Sequence, residues 1–137
     1  MSSYYHIKSN VELHEYNMHN YIYHLNIVNI PKPINYDRKK KQLCMELIPN
    51  MCVADFYGEE LTKVPEETLS EIRDTVKLLY ENNIIYPDIT GYNFIESQGK
   101  VYIIDFEHCY FAFGAKDQYV KGFIEGTETK EWNPDFK

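Results

Sequence analysis

The chain is poor in cysteine, glycine and positive charge, and each shortage excludes a class of protein. Its three cysteines are odd in number and have no metal-ligand spacing, which argues against a disulfide framework or a zinc site. The first of six glycines is Gly58, so no glycine-rich loop that binds phosphates through backbone amides precedes that residue. Fourteen basic and 21 acidic residues give a net charge of −7, which disfavours a general binder of nucleic acids or anionic membranes.

Long apolar runs, repeats and linkers are also missing. No apolar stretch approaches the roughly 20 residues of a membrane-spanning helix, and the N-terminus shows no basic-then-apolar signal sequence. We therefore expect a cytoplasmic protein that contacts no membrane. The richness in Ile, Asn, Lys and Tyr is typical of AT-rich genomes such as those of large DNA viruses, which would place it in a host cytoplasm or a virion. A chain of 137 residues has room for one domain.

Hydrophobic spacing predicts an α+β chain in which helices alternate with strands and hairpins. Apolar residues recur at helical intervals in two segments, and Pro65 with two following glutamates marks the start of the stronger helix. The predicted elements are a strand at 4–8, a helix at 11–25, a hairpin of 33–37 and 42–48, a helix from 65 to 82, a hairpin of 93–96 and 100–105, and a helix at 115–124.

Three polar residues in the second half of the chain are the best candidates for chemistry. Asp88 and Asn93 lie five residues apart after the long helix, and Asp105 ends the apolar strand of the hairpin that begins at Asn93. Because a hairpin folds back on itself, Asn93 and Asp105 can lie close together. Carboxylate and carboxamide oxygens suit Mg²⁺. The pattern predicts a metal that bridges nucleotide phosphates, with the other carboxylate free to accept a hydroxyl proton.

This pattern resembles the signature of a known superfamily. Asp88-x-x-x-x-Asn93 followed by Ile104-Asp105-Phe106 resembles the catalytic loop and metal-binding motif of protein-kinase-like proteins. The loop sequence Asp-Ile-Thr-Gly-Tyr-Asn is most similar to that of small atypical kinases, namely the RIO kinases and the kinase subunit of the KEOPS complex. The combination of loop, spacing and Asp-Phe makes the resemblance specific.

The resemblance implies a protein-kinase-like fold of the α+β class that is minimal and two-lobed. A shortened N-terminal sheet would form a reduced N-terminal lobe at 1–48. A hinge at 49–53 would connect it to a truncated C-terminal lobe at 54–137. All of 1–137 would then form a single kinase-like domain.

Roles for individual residues follow from the resemblance. Asp88 would orient and deprotonate the acceptor hydroxyl, and Asn93 and Asp105 would hold Mg²⁺. Lys8 would contact the phosphates of ATP, as a catalytic and cofactor-binding residue, and would pair with Glu15 on the following helix.

The segment Leu43–Ile48 is similar to the strand that leads into the adenine-binding hinge of kinases. By this resemblance the backbone of Glu46 and Ile48 would bond the base, and the side chain of Met45 would lie behind it. The implied cofactors are ATP and Mg²⁺, and the implied partners are a nucleotide and a protein substrate or binding partner.

Departures from the family pattern leave three functions open. Tyr86 stands where kinases usually have histidine, the metal motif ends in Glu107 instead of glycine, and few residues remain for a C-terminal lobe. The first function is an ATP- and Mg-dependent phosphotransferase of the atypical serine/threonine type. The second is a catalytically inactive pseudokinase that binds proteins or mimics a host kinase. The third is a small-molecule kinase, since Asp-Phe-Glu also occurs in kinases of the choline and aminoglycoside type.

The C-terminal tail carries an apolar pair, Trp132 and Phe136, that has two interpretations. The pair either packs back on the body of the protein or docks a partner.

Overall fold

The structure is a computed structural model that describes residues 5–114, 117–127 and 130–136. These residues contain four α-helices and seven strands. In chain order they are β1 (Tyr5–Lys8), α1 (Leu13–Leu25), β2 (Pro33–Asp37), β3 (Gln42–Glu46), α2 (Val53–Tyr57), α3 (Glu66–Glu81), β4 (Ile84–Ile85), β5 (Phe94–Ser97), β6 (Lys100–Ile103), β7 (Tyr110–Phe111) and α4 (Gln118–Glu125). Within these described residues, no helix combines the length and apolarity needed to cross a membrane.

An antiparallel three-stranded sheet is built from the first half of the chain. Its strand order is β1-β3-β2, so β3 lies in the centre and α1 connects the two edge strands. Leu43 and Met45, two residues apart on β3, point to the same face and are buried with Val11. Tyr36 closes this small core by donating its hydroxyl hydrogen to the carbonyl oxygen of Val11 at 2.7 Å.

The larger core is organised around α3. Apolar residues on one face of this helix are fully or almost fully buried, as its helical spacing predicts. Glu66 and Glu67 lie in the first turn, where carboxylates are stabilised by the positive end of the helix dipole. Pro65, the predicted first residue of this helix, is the N-cap, one residue before the observed start at Glu66. Helix α4 packs on α3 through Phe123, whose ring lies under the guanidinium of Arg73 at 5.5 Å.

The hairpin of β5 and β6 sets the geometry of the candidate site. Gln98 and Gly99 both have positive φ values, 53° and 78°, which favours a two-residue turn of the type that matches strand twist. The paired strands run back in register from this turn to their far end. There the amide of Ile104 donates to the carbonyl oxygen of Asn93 at 3.0 Å. Asp105 therefore follows immediately beside Asn93.

The predicted α+β class and kinase-like architecture are confirmed, with shifted element ends. The first predicted strand is observed from Tyr5, since residue 4 lies outside the described residues. The last helix begins at Gln118, where the side chain of Asp117 accepts a hydrogen bond from the amide of Val120, and positions 115–116 lie outside the described residues. The sequence patterns miss the short elements α2, β4 and β7. The division into lobes around 49–53 stays a prediction.

Candidate functional site

A cavity of about 300 Å³ lies between the three-stranded sheet and the loop after β4. Its wall combines apolar side chains from the end of β3 with charged and polar side chains from β1 and from the β5–β6 hairpin. The cavity brings together six of the predicted site residues: Lys8, Met45, Glu46, Ile48, Asn93 and Asp105. Asp88 and Glu15 do not line this cavity, but each is hydrogen-bonded to a residue that does: Asp88 to Asn93 and Glu15 to Lys8.

Lys8 stands between two carboxylates. Its Nζ forms an ion pair with Glu15, whose side chain is 5% exposed, and lies 3.3 Å from Oδ1 of Asp105. Asn10, with a φ of 61°, takes the left-handed conformation that lets the chain turn from β1 to α1 in a few residues. Burial alone would lower the pKa of Lys8, but the hydrogen bond to Glu15 and the charge of Asp105 outweigh it and raise that pKa. Burial raises the pKa of Glu15.

The end of β3 presents a mostly apolar wall to the cavity. Met45 and Ile48 are buried, at the positions predicted to lie near adenine. The backbone amide of Glu46 donates to the carbonyl oxygen of Lys32 at 2.9 Å, and its side chain accepts from the amide of Lys32 at 3.1 Å. The amide of Glu46 is therefore engaged within the protein.

Asp88 lies on a buried loop that precedes the hairpin. Asn93 uses its carboxamide nitrogen to donate to the backbone oxygen of Asp88 at 2.8 Å, which couples the two predicted residues directly. Oδ2 of the Asp88 carboxylate lies 3.0 Å from Nδ1 of His108. Burial raises the pKa of Asp88, although the hydrogen bond from His108 acts in the opposite direction. That same hydrogen bond raises the pKa of His108.

Sequence reasoning missed the contacts by which three residues hold this site together, although it singled out Tyr86 as a departure from the kinase pattern. Tyr86, which replaces the usual histidine, donates its hydroxyl hydrogen to the backbone oxygen of Asp105 at 2.6 Å and so ties the loop to the metal motif. His108 contacts Asp88, as described above. Asn133 bonds the loop from 46 residues away. The position of Tyr86, two residues before Asp88, offered a sequence signal; Asn133 offered none.

The tail packs on the body of the protein, which confirms one of its two interpretations. Trp132 is buried and its indole nitrogen donates to the carbonyl oxygen of Glu59 at 3.0 Å. The ring of Phe136 lies 4.9 Å from that of His108. The tail therefore reaches the partner of Asp88.

Helix α1 contacts the site through a second residue, His19. Its Nε2 lies 2.7 Å from the carbonyl oxygen of Pro31, and its ring lies 4.8 Å from that of Phe106, the residue after Asp105. His19 is one helical turn beyond Glu15, so one face of α1 contacts both Lys8 and the metal motif. Burial lowers the pKa of His19.

Three features are typical of the protein-kinase-like class: the small antiparallel sheet, the lysine paired with a helix carboxylate, and Asn93 and Asp105 at one cavity, with Asp88 bonded to Asn93. The solved structure of the kinase PK-1 of Cydia pomonella granulovirus shares the fold, with a TM-score of 0.59 over 84% of this chain and 46% of that chain, at 16% identity. A family model of the RIO domain matches residues 3–109. The chain belongs to the RIO domain family, a family of atypical kinases, as the loop sequence predicted.

Two curated relatives are similar over most of this chain. The EKC/KEOPS complex subunit BUD32 of Enterocytozoon bieneusi is 33% identical over 116 residues, which cover 77% of this chain and 57% of the relative. The KEOPS complex subunit Bud32 of Pyrococcus abyssi is 32% identical over 119 residues, which cover 80% of this chain and 52% of the relative. The chain thus spans about half the length of the curated relatives that it matches.

Proposed function

We propose that the chain is an ATP- and Mg²⁺-dependent phosphotransferase that acts on a hydroxyl group. One observation carries the proposal: the side chains of Lys8, Asn93 and Asp105 line the same 300 Å³ cavity as the apolar end of β3. A nucleotide needs an apolar slot for its base and a charged end for its phosphates, and this cavity offers both. Membership of the RIO domain family supports the same reading.

The adenine base belongs at the apolar end of the cavity. The side chains of Met45 and Ile48 would contact the base. The carbonyl oxygen of Glu46 would accept a hydrogen bond from the base, and the amide of Ile48 would donate one to it. The amide of Glu46 already donates to the carbonyl oxygen of Lys32 and so is not the proposed donor to the base. Lys8, at the other end, would neutralise phosphate charge.

The donor set at the charged end fits Mg²⁺. Asp105 offers a carboxylate that is anchored by the amide of Glu107 at 2.9 Å, and Asn93 offers a carboxamide oxygen because its nitrogen is bonded to Asp88. Both are hard oxygen ligands. Throughout the described part of the chain, no group of three or more His, Cys, Asp or Glu residues could hold a metal. Mg²⁺ needs few ligands from the protein, because it takes several from phosphates and water. When bound, the ion would neutralise charge on the transferred phosphoryl group.

Asp88 is the residue that would receive the acceptor hydroxyl. Burial raises its pKa, which makes its carboxylate a better proton acceptor than an exposed aspartate. Its backbone oxygen is bonded to the side chain of Asn93, so the proton acceptor and the proposed metal ligand share one rigid loop. Positioning and charge neutralisation supply most of the catalysis in phosphoryl transfer.

Two aspartate variants separate nucleotide binding from chemistry. We expect ATP with Mg²⁺ to raise the melting temperature, because a ligand at about a hundredfold excess over its Kd stabilises a protein by about 2.7 kcal/mol. Asp105→Asn should lose the Mg²⁺-dependent part of this shift. Asp88→Asn should keep the shift and lose ADP release with protein or small-molecule acceptors.

The matched control for both variants is Asp74→Asn, which changes an exposed aspartate on α3. It should behave as the unmodified chain in both assays. Equal turnover by Asp88→Asn and the unmodified chain would contradict the proposed mechanism, and no thermal shift at millimolar ATP would contradict nucleotide binding.

A second candidate function is binding to protein partners without catalysis, as a pseudokinase. It is supported by the curated relatives, both of which are subunits of a KEOPS complex. We expect a stoichiometric partner in pull-down experiments under either function. Partner binding that survives Asp105→Ala, combined with no ATP-dependent thermal shift, would favour the non-catalytic role.

A further inference from the structure

We propose that Asn133 and His108 are positioning residues for Asp88, and that the C-terminal segment 130–136 is therefore part of the catalytic site. The inference rests on the proposed function, in which Asp88 orients the acceptor hydroxyl. It adds that the orientation of Asp88 is set by residues far along the chain, outside the loop itself.

Asn133 fixes the backbone on both sides of Asp88. Its side-chain nitrogen donates to the carbonyl oxygen of Pro87 at 2.7 Å, and its backbone amide donates to the carbonyl oxygen of Ile89 at 3.0 Å. The amide of Asp135 donates to Oδ1 of Asn133 at 3.1 Å, which determines that the nitrogen of the carboxamide faces the loop. Asn133 is 2% exposed, so water does not compete readily for these bonds. One residue thus restricts the two peptide groups next to Asp88.

His108 fixes the side chain that Asn133 leaves free to rotate. Its Nδ1 lies 3.0 Å from Oδ2 of Asp88, so one of the two carboxylate oxygens is held. The ring centroid of Phe136 lies 4.9 Å from that of the imidazole, so Phe136 restricts the rotation of the His108 side chain. Since Phe136 and Asn133 belong to the same segment, the backbone and the side chain of Asp88 are held by one stretch of chain.

The segment is itself anchored to the body at two points. The buried indole of Trp132 donates to the carbonyl oxygen of Glu59 at 3.0 Å, and Tyr119 on α4 donates its hydroxyl hydrogen to the carbonyl oxygen of Glu131 at 2.6 Å. The same segment forms part of the wall of a second cavity of about 500 Å³, together with Thr90 and Tyr92 of the Asp88 loop. The contacts to Asp88 therefore come from a fixed support.

Two variants test positioning, with one exposed histidine as a control. Asn133→Asp keeps the size, the backbone amide and the acceptor for Asp135, but replaces the nitrogen donor that faces Pro87 with an oxygen. His108→Gln changes an exposed side chain at little risk to folding. His24→Gln, at an exposed histidine of α1, serves as the control.

Positioning predicts that both variants lose kcat while the KM for ATP stays nearly constant, because the nucleotide cavity does not include either residue. We expect a roughly 10- to 100-fold loss of kcat, the scale of a small displacement of a reacting group. Hydrogen–deuterium exchange of residues 84–93 should be faster in Asn133→Asp, and His24→Gln should match the unmodified chain in every measurement. Unchanged kcat in both variants would overturn the proposal. A KM for ATP that rises in proportion to the fall in melting temperature would also overturn it, because that result indicates general destabilisation of the fold.

The exchange measurement separates this inference from the proposed function. An unmodified chain that shows no phosphotransfer would overturn the proposed function, and exchange of residues 84–93 would then decide alone whether Asn133 holds the loop. Unaltered exchange in Asn133→Asp would overturn the support by Asn133. If Asn133→Asp does not fold, the kcat and KM of His108→Gln carry the test.

Discussion

Replacing Lys8 with methionine should destabilise the fold in a way that depends on pH. The substitution keeps a side chain of similar length and removes the cation that Glu15 and Asp105 share. Asp105 retains contact with water, since its side chain is 26% exposed. Glu15 is 4% exposed and becomes a buried carboxylate without a counter-charge, which is unfavourable.

The expected cost follows from the proton that Glu15 must then bind. Its ordinary pKa is 4.5, and holding a carboxyl group neutral at pH 7 costs about 1.36 kcal/mol for each pH unit above that value, or about 3.4 kcal/mol. This value is an upper limit, because the variant also avoids the cost of burying the charge of Lys8. We expect a loss of about 2 to 3 kcal/mol in the free energy of unfolding at pH 7. A carboxyl group whose folded pKa is raised costs nothing below its unfolded pKa, so the loss should fade as the pH falls towards 4.5.

Urea unfolding at pH 7 and pH 5 measures this effect. Lys8→Met should be destabilised more at pH 7 than at pH 5, and adding Glu15→Gln should recover most of the loss at pH 7. Lys77→Met, at an exposed lysine of α3, is the matched control and should change stability by less than about 0.5 kcal/mol. An equal loss at both pH values, with no recovery in the double variant, would refute the reasoning.

Three further predictions concern the core, a buried histidine and a close approach. Ile72→Ala on α3 should cost about 2 to 5 kcal/mol in urea unfolding because Ile72 is fully buried, whereas Leu78→Ala on the exposed side of the same helix should cost much less; equal costs would contradict the assigned core face. Burial lowers the pKa of His19, so stability should decline by up to about 1.4 kcal/mol per pH unit below about pH 6.5, and His19→Gln should flatten this pH profile in thermal melts; an unchanged profile would contradict it. Gly91→Ala should cost about 1 to 3 kcal/mol in thermal unfolding, because its new Cβ would lie 3.0 Å from Cβ of Ala54; an unchanged melting temperature would show that the loop relaxes freely.

The part of the site that sequence predicted is the part that local geometry determines. Asn93 and Asp105 are separated by a hairpin whose turn residues, Gln98 and Gly99, can be identified from the sequence, and a short turn fixes the register of both strands. Their proximity therefore follows from rules that operate within about a dozen residues. The same holds for α3, whose apolar spacing determines which face is buried.

The contacts that sequence missed join segments far apart in the chain. Nothing in the local pattern around Asn133 indicates that it bonds Pro87 and Ile89, because that contact exists only after the tail has packed against Glu59 and the Asp88 loop. The engagement of the Glu46 amide by Lys32 likewise depends on how the segment before β2 lies against β3. Short strands such as β4 have too few residues to show a period.

Helix α1 contacts residues on both sides of the proposed phosphate site. In the proposed function, the side chain of Lys8 contacts the phosphates at the charged end of the cavity. Lys8 is oriented by Glu15, and α1 is held one turn further on by His19 against Pro31 and Phe106. A shift of α1 would therefore displace Lys8, the proposed phosphate ligand, and would also loosen Phe106, the residue after Asp105. Since both proposed ends of the phosphate site depend on one helix, they should assemble or separate as a unit.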